Sequence, residues 1–425
     1  MMIEVSKPGS NSLSRTIPVL AFAAAMITAL LPQVNAQPEM VHLSLQGKPG
    51  QSHSPVIVTW CSKISAGNQY VRYGVFPDLE SRVKANSSAF HDRFVISARL
   101  RRLQPGIKYF YKTGSDEAGW SPIYSFVTEP DTGSFRVGVI ADTQNNPGNE
   151  EFGKSTAVAD MIKLYSPSLV LHMGDMVNNG SETTSWEKFL KSTLNLNSSA
   201  PVMPALGNHD VNNTPGPDFQ KPYDDFRKLF NLPGNETDYS YDYENVHFVV
   251  LFSGCAEAAS KSGQVRYKPG SPEYKWLDKD LSGAEKSKNI KWIIVYMHYP
   301  LYSFGWSNIN QWKESVLPVI ERHKVDLCLA GHRHVYERHF QLSDGVPVTS
   351  DHAAPVRAGK GTLFITNGTA GGNPSGLGGK DLPTMAYTQD RTMFTFAIMD
   401  ISDRAITYRV FDKDNLLIDN FVIRK

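Results

Sequence analysis

From residue 134 onward the chain carries short, continuously apolar runs separated by amphipathic stretches, and few architectures accept that alternation. The runs 135–141, 168–173, 202–206, 246–252, 291–297, 325–330 and 362–366 read as strands covered on both faces. The stretches 150–165, 184–196, 272–281 and 309–323 have helical spacing. Strands alternating with helices predict an α/β layered domain. Three β-rich runs near the end, 393–400, 405–411 and 416–423, are expected to add antiparallel strands to one sheet.

Residues 38–129 follow a different pattern. The segments 56–60, 69–75, 94–100 and 108–112 are β-rich or alternate with period two, and Gly and Pro turns divide them. The segment 103–109 places a turn signal directly before an aromatic strand. A small all-β sandwich is the expectation. Through Trp60 and residues 103–109 it resembles a fibronectin type III domain. The organisation expected is therefore a signal segment at 1–36, a β sandwich at 38–129, a catalytic α/β domain at 134–392 and completing strands at 393–425.

Residues 1–36 read as a secretory signal. Lys7 and Arg15 precede an apolar run of about 15 residues, shorter than the about 20 of a spanning helix. Val34-Asn35-Ala36 fits a cleavage site, leaving Gln37 as the new N-terminus. Sequons at Asn86, Asn179, Asn197, Asn212, Asn235 and Asn367 agree with a secretory route. The location expected is extracellular or the lumen of the secretory pathway, a lysosome or vacuole included, with no membrane contact after cleavage. Of three cysteines, Cys328 lies in a strand run, and Cys61 and Cys255 are free to pair or not. With 43 basic and 42 acidic side chains and no like-charge block, a nucleic-acid partner is not expected.

Metal-binding side-chain types sit just past the apolar runs. The first run ends in Asp142-Thr143-Gln144, the second in Gly174-Asp175, and the third in Gly207-Asn208-His209-Asp210. The run 291–297 ends in His298, and 325–330 ends in Gly331-His332-Arg333-His334. A lone Asp or His at such a place is more often a turn residue or cap. In an open α/β sheet, however, the carboxyl ends of strands gather in one crevice. In an extended His-x-His segment both rings point the same way. Carboxylates, imidazoles and one amide suit Zn, Fe or Mn, and no cysteine joins them. Two cations about 3.5–4 Å apart need a shared carboxylate, and Asp175 is the candidate.

The ordered series Asp142-x-Gln144, Gly174-Asp175, Gly207-Asn208-His209-Asp210, His298 and Gly331-His332-x-His334 resembles the calcineurin-like metallophosphoesterases. Domain order and residues 297–303 and 330–338 look like the plant-type purple acid phosphatases. The resemblance implies a four-layer sandwich of two β-sheets flanked by helices; whether the chain forms a homodimer stays open. It implies one metal on Asp142, Asp175 and His334, and another on Asp175, Asn208, His298 and His332. It also implies in-line attack of a metal-held hydroxide on a phosphate monoester. His209, positioned by Asp210, would protonate the leaving group or orient the phosphate. Two departures stand out. The purple enzymes carry a tyrosinate three residues after the bridging Asp, where this chain has Asn178, which disfavours Fe(III) and predicts a colourless protein. Another branch carries His where this chain has Gln144, whose amide oxygen is a candidate ligand. Two other readings stay open: a phosphodiesterase or nucleotide pyrophosphatase on the same core, and a secreted binding protein with a degenerate metal site.

The remaining candidates take plainer readings. His172 is expected to be a satisfied core histidine, His323 to sit at a helix C-terminus, and His91, His339 and His352 to be structural or on the surface. Strand alternation points Arg333 to solvent. Tyr299, Tyr302 and Trp306 are candidates for lining the entrance, and residues 367–372 for a loop near the site.

Overall fold

The computed structural model describes residues 37–425 except 52, 66, 145–151, 212–222, 254–265, 305–309, 376–382 and 389–392. The expected signal segment, Asn212, Cys255 and Trp306 lie outside the described residues.

Two sheets build the N-terminal part. One runs Glu39–Leu45, Val56–Ser62, Arg93–Leu100, Asn86–Phe90 in spatial order. The other runs Ser81–Lys84, Tyr70–Gly74, Lys108–Ser115, Gly119–Trp120, with Tyr124–Val127 also on Lys108–Ser115. Period-two alternation puts Val58, Trp60, Val71, Tyr111 and Phe126 inside. Buried Trp60 donates its Nε1–H to Gln69 at 3.0 Å. The Tyr109 hydroxyl accepts the Gln104 N–H at 3.1 Å and pins the turn read at 103–109.

The second part has helix–sheet–sheet–helix layering. In the seven-stranded sheet, Val202–Pro204, Leu169–His172 and Phe135–Ile140 are parallel neighbours. The tail strands Thr395–Ile401, Ala405–Asp412 and Leu417–Arg424 continue it antiparallel. In the eight-stranded sheet, Val246–Leu251, Trp292–Met297, Leu327–Ala330 and Thr362–Asn367 are parallel. Val137, Val139, Leu169 and Leu171 face Phe248, Ile294, Leu329 and Ile365 between the sheets. The alternate residues Ile140 and Val170 pack instead on Val158, Ala159 and Ile162 of the helix Gly153–Leu164. Leu277 and Leu281 of Pro272–Lys286, and Val316, Val319 and Ile320 of Asn310–Arg322, cover the far side of the other sheet. Each central strand is thus apolar on both faces, which is why its run is continuous rather than alternating.

Some local expectations needed correction. The helix read at 184–196 is two, Thr183–Ser192 and Leu194–Asn197. At the break, the Thr193 hydroxyl donates to the Phe189 carbonyl at 2.8 Å and accepts from Asn197 Nδ2 at 2.7 Å. The structure adds the strands Tyr239–Tyr243 and Tyr336–Ser343; the second buries Glu337 and His339 and so shows no apolar signal. Two sequons have no room for a glycan: Asn197 is 3% exposed and Asn367 1%. Cys61 and Cys328 are buried free thiols, and burial lifts Cys61 to about 12.

Residues 36–425 form one compact unit. His42 bonds the Leu229 carbonyl at 2.8 Å, and the buried Tyr111 hydroxyl donates to the Ser198 carbonyl at 2.8 Å. Tyr111→Phe should lower unfolding free energy by about 1–2 kcal/mol, since it strands a buried acceptor between the two parts. Urea unfolding measures it, and an unchanged midpoint would show that this bond contributes nothing.

Candidate metal centre

Loops after five of the parallel strands bring six side chains to one place. Asp142 follows Phe135–Ile140, Asp175 follows Leu169–His172, Asn208 follows Val202–Pro204, His298 follows Trp292–Met297, and His332 and His334 follow Leu327–Ala330. All six converge. His298 Nε2 lies 3.1 Å from Asp175 Oδ2 and 3.2 Å from Asn208 Oδ1. His332 Nδ1 lies 3.0 Å from Asn208 Oδ1 and 3.2 Å from His298 Nε2. On the other side, His334 Nε2 lies 3.4 Å from Asp142 Oδ1. Gln144 Nε2 lies 3.1 Å from Asp175 Oδ2 and 3.3 Å from His334 Nε2.

The backbone is bent to make this happen. Asp142, Asp175 and His332 hold φ of 54°, 53° and 66°, a region that L residues seldom occupy and that costs about 1–3 kcal/mol each. Interlocking bonds hold the bends. The Asp142 N–H donates to the Gly174 carbonyl at 3.0 Å, the His332 N–H to the Asp142 carboxylate at 2.9 Å, and the His209 N–H to Asp175 Oδ1 at 2.9 Å. Close approach requires glycine at two places. A Cβ on Gly207 would lie 2.1 Å from Asp175 Oδ1, and one on Gly372 2.5 Å from His334 Cε1.

The donor set fits cations. His298 gives its Nδ1–H to the Met173 carbonyl at 2.8 Å and His334 gives its own to the Asn373 carbonyl at 2.6 Å. Each therefore turns the Nε2 lone pair inward, the orientation that carbonyl partners impose on metal-binding histidines. Two ring nitrogens 3.2 Å apart beside a carboxylate and an amide oxygen form a donor cluster that can hold a metal ion. Gln144 Oε1 is buried with no hydrogen-bond partner. Exchanging the two amide ends places that oxygen where Nε2 now meets Asp175 and His334.

Residues 135–336 match the calcineurin-like phosphoesterase family, and residues 38–128 match the purple acid phosphatase N-terminal domain. The chain thus carries a calcineurin-like phosphoesterase domain behind a purple acid phosphatase N-terminal domain. This phosphoesterase is 27% identical to the phosphoenolpyruvate phosphatase of Allium cepa, over 82% of this chain and 72% of that one. It is 25% identical to acid phosphatase type 7 of Homo sapiens, over 79% and 78%. Its fold is that of a purple acid phosphatase from yellow lupin (Lupinus luteus) seeds, with a TM-score of 0.78 at 20% identity, covering 92% of this chain and 74% of that one.

The phosphoesterase's charges are set by enclosure. Burial raises Asp175, but the charge and hydrogen bond of His298 outweigh it and hold the carboxyl below its ordinary range. Burial lowers His298, and the Asp175 charge reverses that to about 9. Burial raises Asp142, while burial and then His298 drive His332 well down.

One expected arrangement is corrected. Asp210 does not hold the His209 ring. Its carboxylate accepts four backbone N–H groups, from Asp175 at 2.9 Å, Met176 at 2.8 Å, Val177 at 3.2 Å and Gly207 at 2.8 Å. His209 Nδ1 donates instead to the Asn178 carbonyl at 3.0 Å. Arg333, expected in solvent, is half-buried with Nε enclosed. Tyr299 and Tyr302 are packing residues. Tyr299 stacks on the His332 ring at 4.0 Å, and Tyr302 packs on Phe364. His172 is buried, with Nε2 3.0 Å from the Thr143 hydroxyl, so it stays outside the cluster. The turn 367–372 does border the site, since the Gly372 N–H donates to the Asp142 carbonyl at 2.8 Å. Sequence reading missed the carbonyls of Met173, Asn178 and Asn373, because a backbone oxygen leaves no residue-type signal.

Asp210→Asn should destabilise the fold by at least about 3 kcal/mol, because an amide cannot accept four N–H groups with both ends. Thermal unfolding reads the loss. A variant as stable as the parent but without activity would return Asp210 to the role of orienting His209.

Proposed function

We propose that this phosphoesterase is a secreted phosphatase that hydrolyses phosphate monoesters with two cations. The observation that carries the reading is the position of Asp175 between two donor sets, with His298 and Gln144 each 3.1 Å from Oδ2. One cation takes Asp142, Asp175 and His334, with Gln144 as an added oxygen donor. The other takes Asp175, Asn208, His298 and His332. Neutral imidazoles and amide oxygens suit zinc, manganese or divalent iron. A relative, Fe(3+)-Zn(2+) purple acid phosphatase 12 of Arabidopsis thaliana, is 23% identical over 87% of this chain. Asn178 offers no phenolate, so a ferric first site lacks an anionic ligand of that kind here.

Cations bound there supply Lewis acidity and lower the pKa of water from about 15.7 towards about 7. The protein's own groups do the rest. The Asn178 carbonyl fixes Nδ1–H on His209 and leaves Nε2 to carry a proton to the leaving alkoxide. Strained loops held by buried hydrogen bonds keep the donors in place before substrate arrives. Removal of residues 1–36 and secretion rest on the signal pattern, with Asn86 and Asn235 exposed for glycans. The domain limits 38–129, 134–392 and 393–425 belong to the same reading.

Metal analysis with a substrate panel tests this. The parent should hold two metals per chain and cleave p-nitrophenyl phosphate faster than bis-p-nitrophenyl phosphate; a faster diester reaction would reassign the substrate. Asp175→Asn should lose both metals and turnover, and near-parental activity would remove the bridging role. His209→Ala should keep its metals and lower kcat about 10²–10⁴-fold. Metal loss in that variant would make His209 a ligand.

A further inference from the structure

The outer face of the five-stranded sheet in the N-terminal part concentrates positive charge with no ion pair to a carboxylate among the described residues. Cross-strand register fixes which residues share it. Tyr70 stands opposite Lys84, Arg72 opposite both Arg82 and Lys112, and Gly114 opposite Trp120. Phe110 stands opposite Ser125 and Lys108 opposite Val127. Alternation then places Arg72, Arg82, Lys84, Lys108 and Lys112 on one side, while Val71, Tyr109, Tyr111 and Phe126 point into the core. Arg72, Arg82, Lys84 and Lys108 are exposed, and Lys112 is half-buried. None of the five has a carboxylate partner among the described residues. Asp116 and Glu117, at the Ser115–Gly119 turn, line a cleft with Arg72, Arg82 and Trp120, and Asp116 accepts the Trp120 Nε1–H at 2.9 Å, so they offset part of the charge at that end and leave the excess positive.

This arrangement costs stability by itself. Like charges directly opposite in a sheet repel, and Arg82, Arg72 and Lys112 form an unbroken row across three strands. Aromatic rings hold the cations in place. The Arg82 guanidinium lies 5.3 Å from the Tyr70 ring centre and Lys108 Nζ 5.1 Å from that of Phe110. Arg72 at 5.8 Å and Lys112 at 4.8 Å both cover Trp120. A net charge of +1 over the whole chain hides this local concentration, and the sequence reading saw no basic surface for that reason.

We infer that this face binds an acidic polysaccharide, a polyuronate chain laid across the strands. The rows of cations are spaced by the strand separation of about 4.8 Å, which suits a linear polymer with a charge on each unit. Single-stranded nucleic acid fits less well. It is held by bases stacked on open rings, and here Arg72 and Lys112 occupy the Trp120 ring. The inference is independent of the chemistry assigned to the metal centre.

Binding of the full chain to polygalacturonate, dextran and an oligothymidine tests it. Polygalacturonate should bind and dextran should not, and affinity should fall about tenfold or more between about 50 and 200 mM salt. Arg72→Ser with Arg82→Ser should weaken binding at least tenfold while hydrolysis of p-nitrophenyl phosphate and the thermal midpoint persist. Lys84→Glu with Lys108→Glu, which leaves the central row intact, should do the same. Equal affinity for dextran, unchanged affinity in both double variants, or tighter binding of the oligothymidine overturns the proposal.

Discussion

The Asp210 carboxylate is the tie on which the candidate metal centre depends. It gathers the N–H groups of Asp175, Met176, Val177 and Gly207, and so joins the loops after two adjacent parallel strands. Burial and the neighbouring Asp175 charge push the Asp210 carboxyl up to about 8, and the backbone N–H groups of Gly207 and Val177 oppose that rise. With the two loops locked, Asp175 is presented from a left-handed backbone at φ 53° and Asn208 from the neighbouring turn. The His209 ring is then free to be held by the Asn178 carbonyl.

The sheets supply the rigid frame for those loops. Parallel strands apolar on both faces leave polar side chains only at their ends, so binding chemistry collects there. Strain at Asp142, Asp175 and His332 persists because the layers beneath are closely packed and the loop hydrogen bonds cross from one strand end to the next. The second ring of contacts is mostly backbone. The Met173 and Asn373 carbonyls set the tautomers of His298 and His334, and Gly372 leaves space for the His334 ring.

The N-terminal sandwich plays two parts at once. One face of its five-stranded sheet is core, and the hydroxyl of Tyr111 reaches from it to the catalytic part at Ser198. The opposite face carries cations on aromatic supports, without ion pairs among the described residues. A face buried in packing and a face given to solvent are what period-two alternation allows in an antiparallel sheet.

Much of this was legible without coordinates. Continuous apolar runs at 135–141, 168–173 and 291–297 announced central strands, and the order of Asp142, Asp175, Asn208, His298, His332 and His334 at their ends announced a shared site. Residue type and spacing carry that information because burial and metal affinity are properties of side chains. The strand Tyr336–Ser343, the break at Thr193, the burial of Asn197 and Asn367, the partner of Asp210 and the charged sheet face were not legible. They depend on which backbone oxygen or N–H faces a given atom, and on which residues lie opposite one another across strands. Those relations exist only once distant segments have packed. The sequence by itself determined which groups can bind; tertiary structure decided what orients them, because orientation comes from main-chain atoms that are the same in every residue.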